Sequence, residues 1–215
     1  MSKLRVHCFS TSVDGYSAGP NQDLDHPAGA GGLPVFGWQF ATHTHQRMHG
    51  TESGETGLDD DLVRRGFDRI GAWIMGRNMF GPIRGPWIDD AWKGWWGENP
   101  AYHTPVFVLT QYPREPIEML GGTTFYFVTD GIHEALDRAR RAAGELDVRL
   151  GGGVVTMRQY LRAGLVDEMH LVQSPVLLGS GERLFDGLHL PEVGYRVRER
   201  IASPNATHIF IDKAS

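Results

Sequence analysis

The sequence predicts an α/β fold built on one mixed, mostly parallel sheet of eight strands with helices on both faces. Apolar strand-like runs alternate with helical patterns through the first two-thirds of the chain, whereas the last third holds strand-like runs without helices between them. Alternation favours parallel strands joined by crossover helices, and the C-terminal runs favour antiparallel pairing. With no repeat and no clear linker, residues 1–215 are expected to form one domain.

The first half of the chain supplies two strands, two helices and two long loops. Residues 4–9 predict the first strand, which is followed by the turn signal Asp14-Gly15. Residues 19–35 are rich in glycine and proline and predict a loop; residues 36–49 and 58–67 each fit a helix, the second beginning with acidic residues. Residues 72–75 suit a buried strand, and residues 81–104 form a loop rich in Gly, Pro and Trp.

The second half begins with two further strands, residues 106–109 and 124–128, which are rich in β-forming residues. Asp130 is expected to cap a helix over residues 132–143, which has one apolar face. Residues 148–150 form a strand that leads into three glycines, and the helix over residues 154–163 is expected to end at Gly164. The remaining predicted strands are residues 168–178, 195–201 and 207–212.

The composition excludes several classes of protein. It is 40% hydrophobic and 22% charged with a formal net charge of -5, which is typical of a globular protein and gives no general footprint for nucleic acid or an anionic membrane. The single cysteine, Cys8, excludes an internal disulfide and is expected in the core. Because no apolar stretch approaches a membrane span or a signal peptide, we expect a cytoplasmic protein.

The three glycines between a strand and a helix are the most informative local feature. Glycine allows unusual backbone angles and close approach of a ligand, and the first turn of the following helix presents free N–H groups and a positive dipole end. This combination suits a phosphate, most often the diphosphate of a nucleotide cofactor. A tight strand-to-helix turn without any ligand is the alternative.

His43, His45 and His49 form the densest histidine group. If residues 40–49 are helical, His45 and His49 share a face at a spacing that can bind zinc, but the flanking residues of known zinc motifs are missing. A proton donor or a polar pocket wall is therefore favoured, and no metal site is expected. The zinc signature of nucleobase deaminases is also absent, which excludes deamination.

The loop over residues 81–104 concentrates tryptophan. Three interpretations remain open: a local aromatic cluster that fastens the loop, which is favoured, a cover for a flat heteroaromatic substrate, and a contact in a dimer. The tryptophans concerned are Trp87, Trp92, Trp95 and Trp96.

Several motifs in a fixed order resemble the dihydrofolate reductase superfamily. They are residues 12–18 (SVDGYSA), 73–80 (WIMGRNMF), 106–110 (VFVLT), 128–130 (VTD) and 150–153 (LGGG). Residues 164–171 (GLVDEMHL) and 175–179 (PVLLG) are similar to the reductase domain of riboflavin biosynthesis, the RibD C-terminal type. The resemblance therefore implies a dihydrofolate reductase-like sheet.

The resemblance also implies NADPH as the cofactor. Glycines and helix amides would hold its diphosphate, Arg77 would pair with phosphate, Thr110 and Gln111 would contact the adenosine 2′-phosphate or ribose, and two small residues would border the nicotinamide. The cofactor-binding residues implied in this way are Ser17, Ala18, Gly76, Arg77, Asn78, Thr110, Gln111, Leu150, Gly151, Gly152, Gly153, Val154, Val155 and Thr156. A small-molecule substrate and a homodimer are further implications.

The substrate side differs from both parent enzymes. Dihydrofolate reductases carry a carboxylate on the first helix, whereas His43 stands near that position here; riboflavin-pathway reductases usually have a basic residue where Tyr16 stands, and tend to have a glutamate where Leu150 stands. The expected proton donors are water or the side chains of His43, His45 and Tyr16. Asp14 and Trp38 are expected at the substrate.

These expectations predict a reductase that transfers hydride from NADPH to a small N-heterocycle. A ribosylaminouracil of riboflavin synthesis, 5-amino-6-(5-phosphoribosylamino)uracil, is the first candidate substrate and a pterin such as dihydrofolate is the second. The alternatives are a catalytically silent NADP(H)-binding sensor or sequestering protein, and a structural oligomer.

Overall fold

The computed structural model describes residues 2–83 and 85–214; the two ends of the expected domain and Arg84, within the predicted 81–104 loop, lie outside the described residues. The strands are β1 (Leu4–Thr11), β2 (Tyr16–Ala18), β3 (Ile70–Gly76), β4 (Pro105–Leu109), β5 (Ile117–Glu118), β6 (Thr124–Val128), β7 (Asp147–Gly152), β8 (Glu168–Gln173), β9 (Glu182–Arg183), β10 (Tyr195–Ala202) and β11 (Thr207–Lys213). The eight predicted strands are all present. The three that the sequence did not reveal, β2, β5 and β9, have two or three residues each.

Nine strands form one sheet in the order β10-β11-β8-β1-β7-β3-β4-β6-β5, and β2 pairs with β9 separately. The five central pairings, from β8 through β1, β7, β3 and β4 to β6, are parallel. The outer pairings of β11 with β8 and β10, and of β5 with β6, are antiparallel. The mixed, mostly parallel sheet is therefore confirmed, with nine strands instead of eight.

Helices cover both faces of the sheet. They are α1 (Gly37–Phe40), α2 (His43–Met48), α3 (Leu58–Arg65), α4 (Arg77–Phe80), α5 (Gly131–Ala143) and α6 (Val154–Arg162). Ala72 and Ile74 of β3 join the core under α5 and α6, whereas the alternate residues Trp73 and Met75 join an aromatic core on the other face. In the described part of the chain, every helix is too short or too polar to cross a membrane.

The predicted helix over residues 36–49 is wrong as one continuous element. It is two short helices, because Thr42 adopts an extended conformation and its side chain accepts a hydrogen bond from the backbone N–H of His45 as the N-cap of α2. Asp130 lies at the N-cap of α5 but makes no capping hydrogen bond with its side chain. Strand β8 ends at Gln173 rather than residue 178, two residues before Pro175, which has no N–H for a sheet.

Candidate functional site

A cavity of about 1430 Å³ opens where the central parallel strands end. Four residues at these strand ends line the cavity. Ser10 is the next-to-last residue of β1, Gly76 ends β3, Thr110 follows β4, and Gly152 ends β7. The carboxyl edge of such a sheet is the usual place for a ligand. Since pockets for drug-sized ligands have about 300–1,000 Å³, this cavity has room for a dinucleotide together with a small second molecule.

The glycine triplet lies in the wall of the cavity, at the start of α6. Strand β7 continues through Gly151 and Gly152, and Gly152 has φ +147°, a conformation that side chains rarely adopt. Gly153 is the N-cap of α6 and offers no side chain to the helix amides. The N–H groups of the first turn, at Val154 to Thr156, therefore need a partner from outside the helix.

Arg77 begins α4, directly after β3, and lines the same cavity. Its guanidinium stacks 3.8 Å from the ring centre of Trp87. Nε and Nη2 are buried and have no hydrogen-bond partner among the described residues, and burial lowers the pKa of the side chain. A partly buried cation whose buried donors are unused gains from a neighbouring anion, so the local chemistry fits a phosphate.

The structure brings most of the predicted cofactor residues to this cavity. Those that line it are Ser17, Ala18, Gly76, Arg77, Asn78, Thr110, Gln111, Gly151, Gly152, Gly153, Val154, Val155 and Thr156. Leu150 does not: its side chain is fully buried in the core, because it faces α6 one residue before the strand reaches the cavity.

Four of the five predicted substrate-side and catalytic residues lie away from the cavity lining. Trp38 is buried against Val63 and donates its Nε1–H to Ser10 Oγ at 3.0 Å. Ser10 lines the cavity, whereas Trp38 does not. The Nδ1 of His43 lies 3.2 Å from the Ser53 carbonyl. His43 begins α2, whose later residues His45 and Gln46 line the cavity instead.

Tyr16 and Asp14 belong to the turn after β1. The Tyr16 ring lies 4.5 Å from the Arg183 guanidinium carbon, on the small β2–β9 sheet. Asp14 accepts a hydrogen bond from Ser12 Oγ and from the backbone N–H groups of Leu178 and Gly179. These bonds lower the pKa of Asp14 to about 2 and give it the geometry of a residue that fixes the turn.

His45 is the predicted proton donor that lines the cavity. Its ring packs 4.9 Å from Phe40 and 4.5 Å from His49, measured between ring centres. Burial, with the nearby His49, lowers the pKa of His45 to about 4. The imidazole is therefore mostly neutral at pH 7.

Sequence reasoning missed Arg149 at the cavity wall. Only 6% of it is exposed; Nη1 donates to the Gly66 carbonyl and Nη2 to the His7 carbonyl, and its guanidinium lies 4.4 Å from the Trp73 ring centre. Burial lowers its pKa to about 10. The sequence does contain an indication of this residue, because Arg149 is a charged residue inside the apolar strand before the glycines. A charged side chain is rarely buried in a strand unless it has specific partners.

A buried histidine chain also escaped the sequence analysis. Asp59 Oδ1 lies 2.7 Å from His208 Nε2, His208 Nδ1 lies 3.0 Å from His170 Nε2, and His170 Nδ1 lies 3.3 Å from His7 Nε2 and 3.8 Å from Cys8 Sγ. Burial lowers the pKa of His7 to about 3 and that of His170 to about 2, and raises the pKa of Cys8 to about 12. Cys8 is buried as expected, but it and His7 also border the cavity. These residues lie on four separate elements, β1, α3, β8 and β11, so their spacing in the sequence does not predict that they meet.

The Trp-rich loop forms an aromatic cluster, as the favoured interpretation stated. Trp87 and Trp92 pack edge-on against Phe80, and Trp96 packs against Tyr102. Trp95 and Trp96 also line the cavity, and both donate Nε1–H to the Met79 carbonyl. Fastening the loop and lining a pocket are therefore properties of the same cluster.

Comparison with known proteins identifies the family. The RibD C-terminal domain matches residues 6–206, and the chain belongs to that family. Among curated proteins, the uncharacterized protein YyaP of Bacillus subtilis (strain 168) is 37% identical over 59 residues, which span 27% of this chain and 31% of YyaP.

Solved structures share the fold over the whole chain. A protein assigned to riboflavin biosynthesis from Shewanella sp. PV-4 has a TM-score of 0.61 and 21% identity, with 100% of both chains covered. Dihydrofolate reductase from Enterococcus faecalis, in complex with NADP(H) and RAB-propyl, has a TM-score of 0.55 and 13% identity, covering 99% of this chain and 97% of that chain. The predicted dihydrofolate reductase-like fold with RibD C-terminal similarity is confirmed.

Proposed function

We propose that this RibD C-terminal domain protein is an NADPH-dependent reductase that transfers hydride to a small N-heterocyclic compound. One observation carries the proposal: the glycine turn, the open first turn of α6 and the unsatisfied guanidinium of Arg77 face one cavity at the carboxyl edge of the sheet. Each of these features suits an anionic, dinucleotide-sized ligand.

The residues present fit the cofactor. The amides of Val154, Val155 and Thr156 would receive the diphosphate, while Arg77, held by its stacking on Trp87, would neutralise phosphate charge. Gly152 lets the backbone approach closely where a side chain would intrude. Bound NADPH supplies a hydride, so the protein has to position the substrate, exclude water and provide a proton.

The substrate would lie on the aromatic side of the cavity, between the α1–α2 segment and the Trp-rich loop. The aromatic rings of Phe36, Phe40, Trp95 and Trp96 all line the cavity, which suits a flat heterocycle. His45 is the proposed proton donor because it lines this part and holds a titratable nitrogen. A ribosylaminouracil is the first candidate substrate and a pterin the second; the proposal includes a homodimer, which sedimentation velocity tests.

A cofactor titration tests the proposal. Purified protein is titrated with NADPH and with NADH, and binding is followed by quenching of tryptophan fluorescence. We expect NADPH to bind more tightly, and Arg77→Ala to weaken it by about 10- to 100-fold, since charge-assisted hydrogen bonds are each worth about 1.5–3 kcal/mol. Arg141→Ala, on the outer side of α5, is the matched loss of one cation and should bind NADPH like the wild type.

Turnover then separates an enzyme from a sensor. Aminouracils and pterins are screened for oxidation of NADPH at 340 nm under saturating cofactor. Binding with turnover supports the reductase; binding without turnover of any compound favours the silent sensor. Absence of binding to either nucleotide overturns the proposal and leaves the glycine triplet as a turn.

A further inference from the structure

Three groups, His7, Cys8 and His170, converge below the cavity, although two of them are neighbours in sequence. In a regular strand, His7 and Cys8 would point to opposite faces of the sheet. Here the register of β1 against β8 shifts between Val6 and Phe9, and Cys8 has φ +55°. This bulge brings the His7 ring and the Cys8 thiol to one place, facing His170 of β8.

Hydrogen bonding fixes which nitrogen of His170 is free. Asp59 only accepts, so His208 donates from Nε2, and a His208 ring with a single proton then accepts at Nδ1. His170 must therefore donate from Nε2, because that atom faces His208 Nδ1 at 3.0 Å. Its Nδ1 is left as an unprotonated lone pair aimed at His7 and Cys8. Metal-ligating histidines usually donate their other ring N–H to an acceptor that orients the ring. For His170 that acceptor is His208, which is held in turn by Asp59.

The two measured separations from His170 Nδ1 are close to those of a tetrahedral metal site. With zinc bonds of about 2.0–2.1 Å to nitrogen and 2.3 Å to sulfur, tetrahedral geometry places two nitrogens roughly 3.3–3.4 Å apart and nitrogen and sulfur roughly 3.5–3.6 Å apart. The observed distances from His170 Nδ1 are 3.3 Å to His7 Nε2 and 3.8 Å to Cys8 Sγ. A nitrogen–nitrogen separation of 3.3 Å is long for a hydrogen bond, and all the ligand atoms lie within 4.8 Å of one another.

We infer that His7, Cys8 and His170 bind one divalent metal ion of the zinc class, with a fourth position open to the cavity. Soft sulfur together with imidazole selects this class over magnesium or calcium. The ion enters from the cavity, which His7 and Cys8 border. Three protein ligands and one exchangeable position are the arrangement of zinc sites that act on a bound molecule.

Two neighbours set the cost of binding. Without metal, His7 Nε2 donates to the Leu62 carbonyl at 2.7 Å, so that its proton has to move to Nδ1 when the ion binds. Arg149 donates a hydrogen bond to the His7 carbonyl, and its positive charge repels a metal cation at this site. Cys8 is a thiol without metal and releases its proton to solvent when the ion binds. Its thiolate and the carboxylate of Asp59 then supply two negative charges that offset the charge of Arg149.

Cobalt is the most direct probe of this site. Untagged, chelator-treated protein is titrated with Co²⁺ and then with Zn²⁺. We expect one Co²⁺ per chain, with intense visible bands of tetrahedral cobalt and a near-ultraviolet thiolate-to-cobalt band, both abolished by Zn²⁺. Because Cys8 is the single cysteine, a thiolate band can come from no other residue.

Three variants locate the ion. Cys8→Ser should lose the thiolate band and weaken binding roughly 100-fold or more, because a ligand is removed. His208→Gln, which keeps all three ligands, should weaken it about 10- to 100-fold through the orientation of His170. His49→Gln, in the separate histidine group of the cavity mouth, is the matched control and should leave affinity and spectrum unchanged.

Alkylation of the wild-type chain keeps the inference testable if Cys8→Ser fails to fold. Zn²⁺ should slow the reaction of Cys8 with a maleimide by about tenfold or more, as expected for a metal-bound thiolate. Cobalt binding without a thiolate band, binding lost in His49→Gln, or unprotected Cys8 would each overturn the site. These readouts need no NADPH, so the site and the reductase proposal succeed or fail separately.

Discussion

A Cβ added to Gly76 would overlap the Oγ1 of Thr156. Gly76 ends β3 and Thr156 lies in the first turn of α6, so this contact seats the start of the helix against the end of the neighbouring strand. The same contact fixes the distance between Arg77, the next residue along the chain, and the amides of α6. Two parts of the proposed phosphate site are thus positioned by one missing side chain.

We expect Gly76→Ala to destabilise the protein by about 1–3 kcal/mol, the usual cost of overfilling a packed contact, and to weaken NADPH binding by shifting α6. Urea unfolding and calorimetric titration measure the two effects. Gly37→Ala, where an added Cβ meets nothing within 4 Å, is the control. Adding Thr156→Ala should restore stability to the Gly76→Ala variant; if it does not, the overlap is not the cause.

Trp87 is expected to act through Arg77. Its ring stacks on the guanidinium, and its Nε1–H lies 3.1 Å from the carbonyls of both Tyr112 and Pro113. The substitution Trp87→Leu removes this ring and should weaken NADPH binding about 2- to 30-fold. This range corresponds to the loss of a cation–π contact worth about 0.5–2 kcal/mol. Calorimetry is the measurement, because the variant changes tryptophan fluorescence.

Trp92→Leu is the matched control for Trp87. It also removes a ring that packs against Phe80, at 5.4 Å between centres, but Trp92 makes no ring contact with Arg77 among the described residues. Stability should fall in both variants, and NADPH affinity only in Trp87→Leu. Equal loss of affinity in both would show a general effect of the loop.

Asp14 should contribute stability that depends on pH. Its pKa is about 2 in the folded protein against 3.8 ordinarily, because Ser12 and two backbone N–H groups bind the carboxylate. A lowered folded pKa means that the contribution is present above about pH 4 and is lost as the pH falls towards 2. In thermal melts, the difference in Tm between wild type and Asp14→Asn should therefore shrink over this window. A difference that stays constant, or one equally produced by the exposed Asp25→Asn, would contradict the assignment.

His45 should give the proposed reductase an acid-favoured rate. With a pKa of about 4, lowered by burial and by His49, the protonated fraction rises about tenfold for each pH unit between 7 and 5. If proton donation limits turnover, kcat should rise in the same proportion, and His45→Gln should abolish this slope. His43→Gln, outside the cavity, should retain it; a slope retained in His45→Gln points to water as the donor.

The predicted strands and most helices follow from local physics. Residues 124–127, for example, alternate part-buried and buried β-formers, and glycines at positions 151–153 admit a turn that other residues resist. Thr42 shows the limit of such reasoning. The apolar and polar spacing of residues 36–49 is compatible with one helix, but the bridge of Thr42 to Glu55 and the capping of α2 break it.

The sequence by itself determined the order of the strands along the chain, the α/β class, the glycine turn and the residues beside it, because these depend on neighbours a few positions apart. Only the tertiary structure decided that Leu150 is buried, that Trp38 acts on the cavity through Ser10, and that Asp59, His208, His170 and Cys8 meet. Those outcomes depend on strand register, on the bulge at Cys8 and on packing between residues up to 162 positions apart, none of which a local pattern encodes.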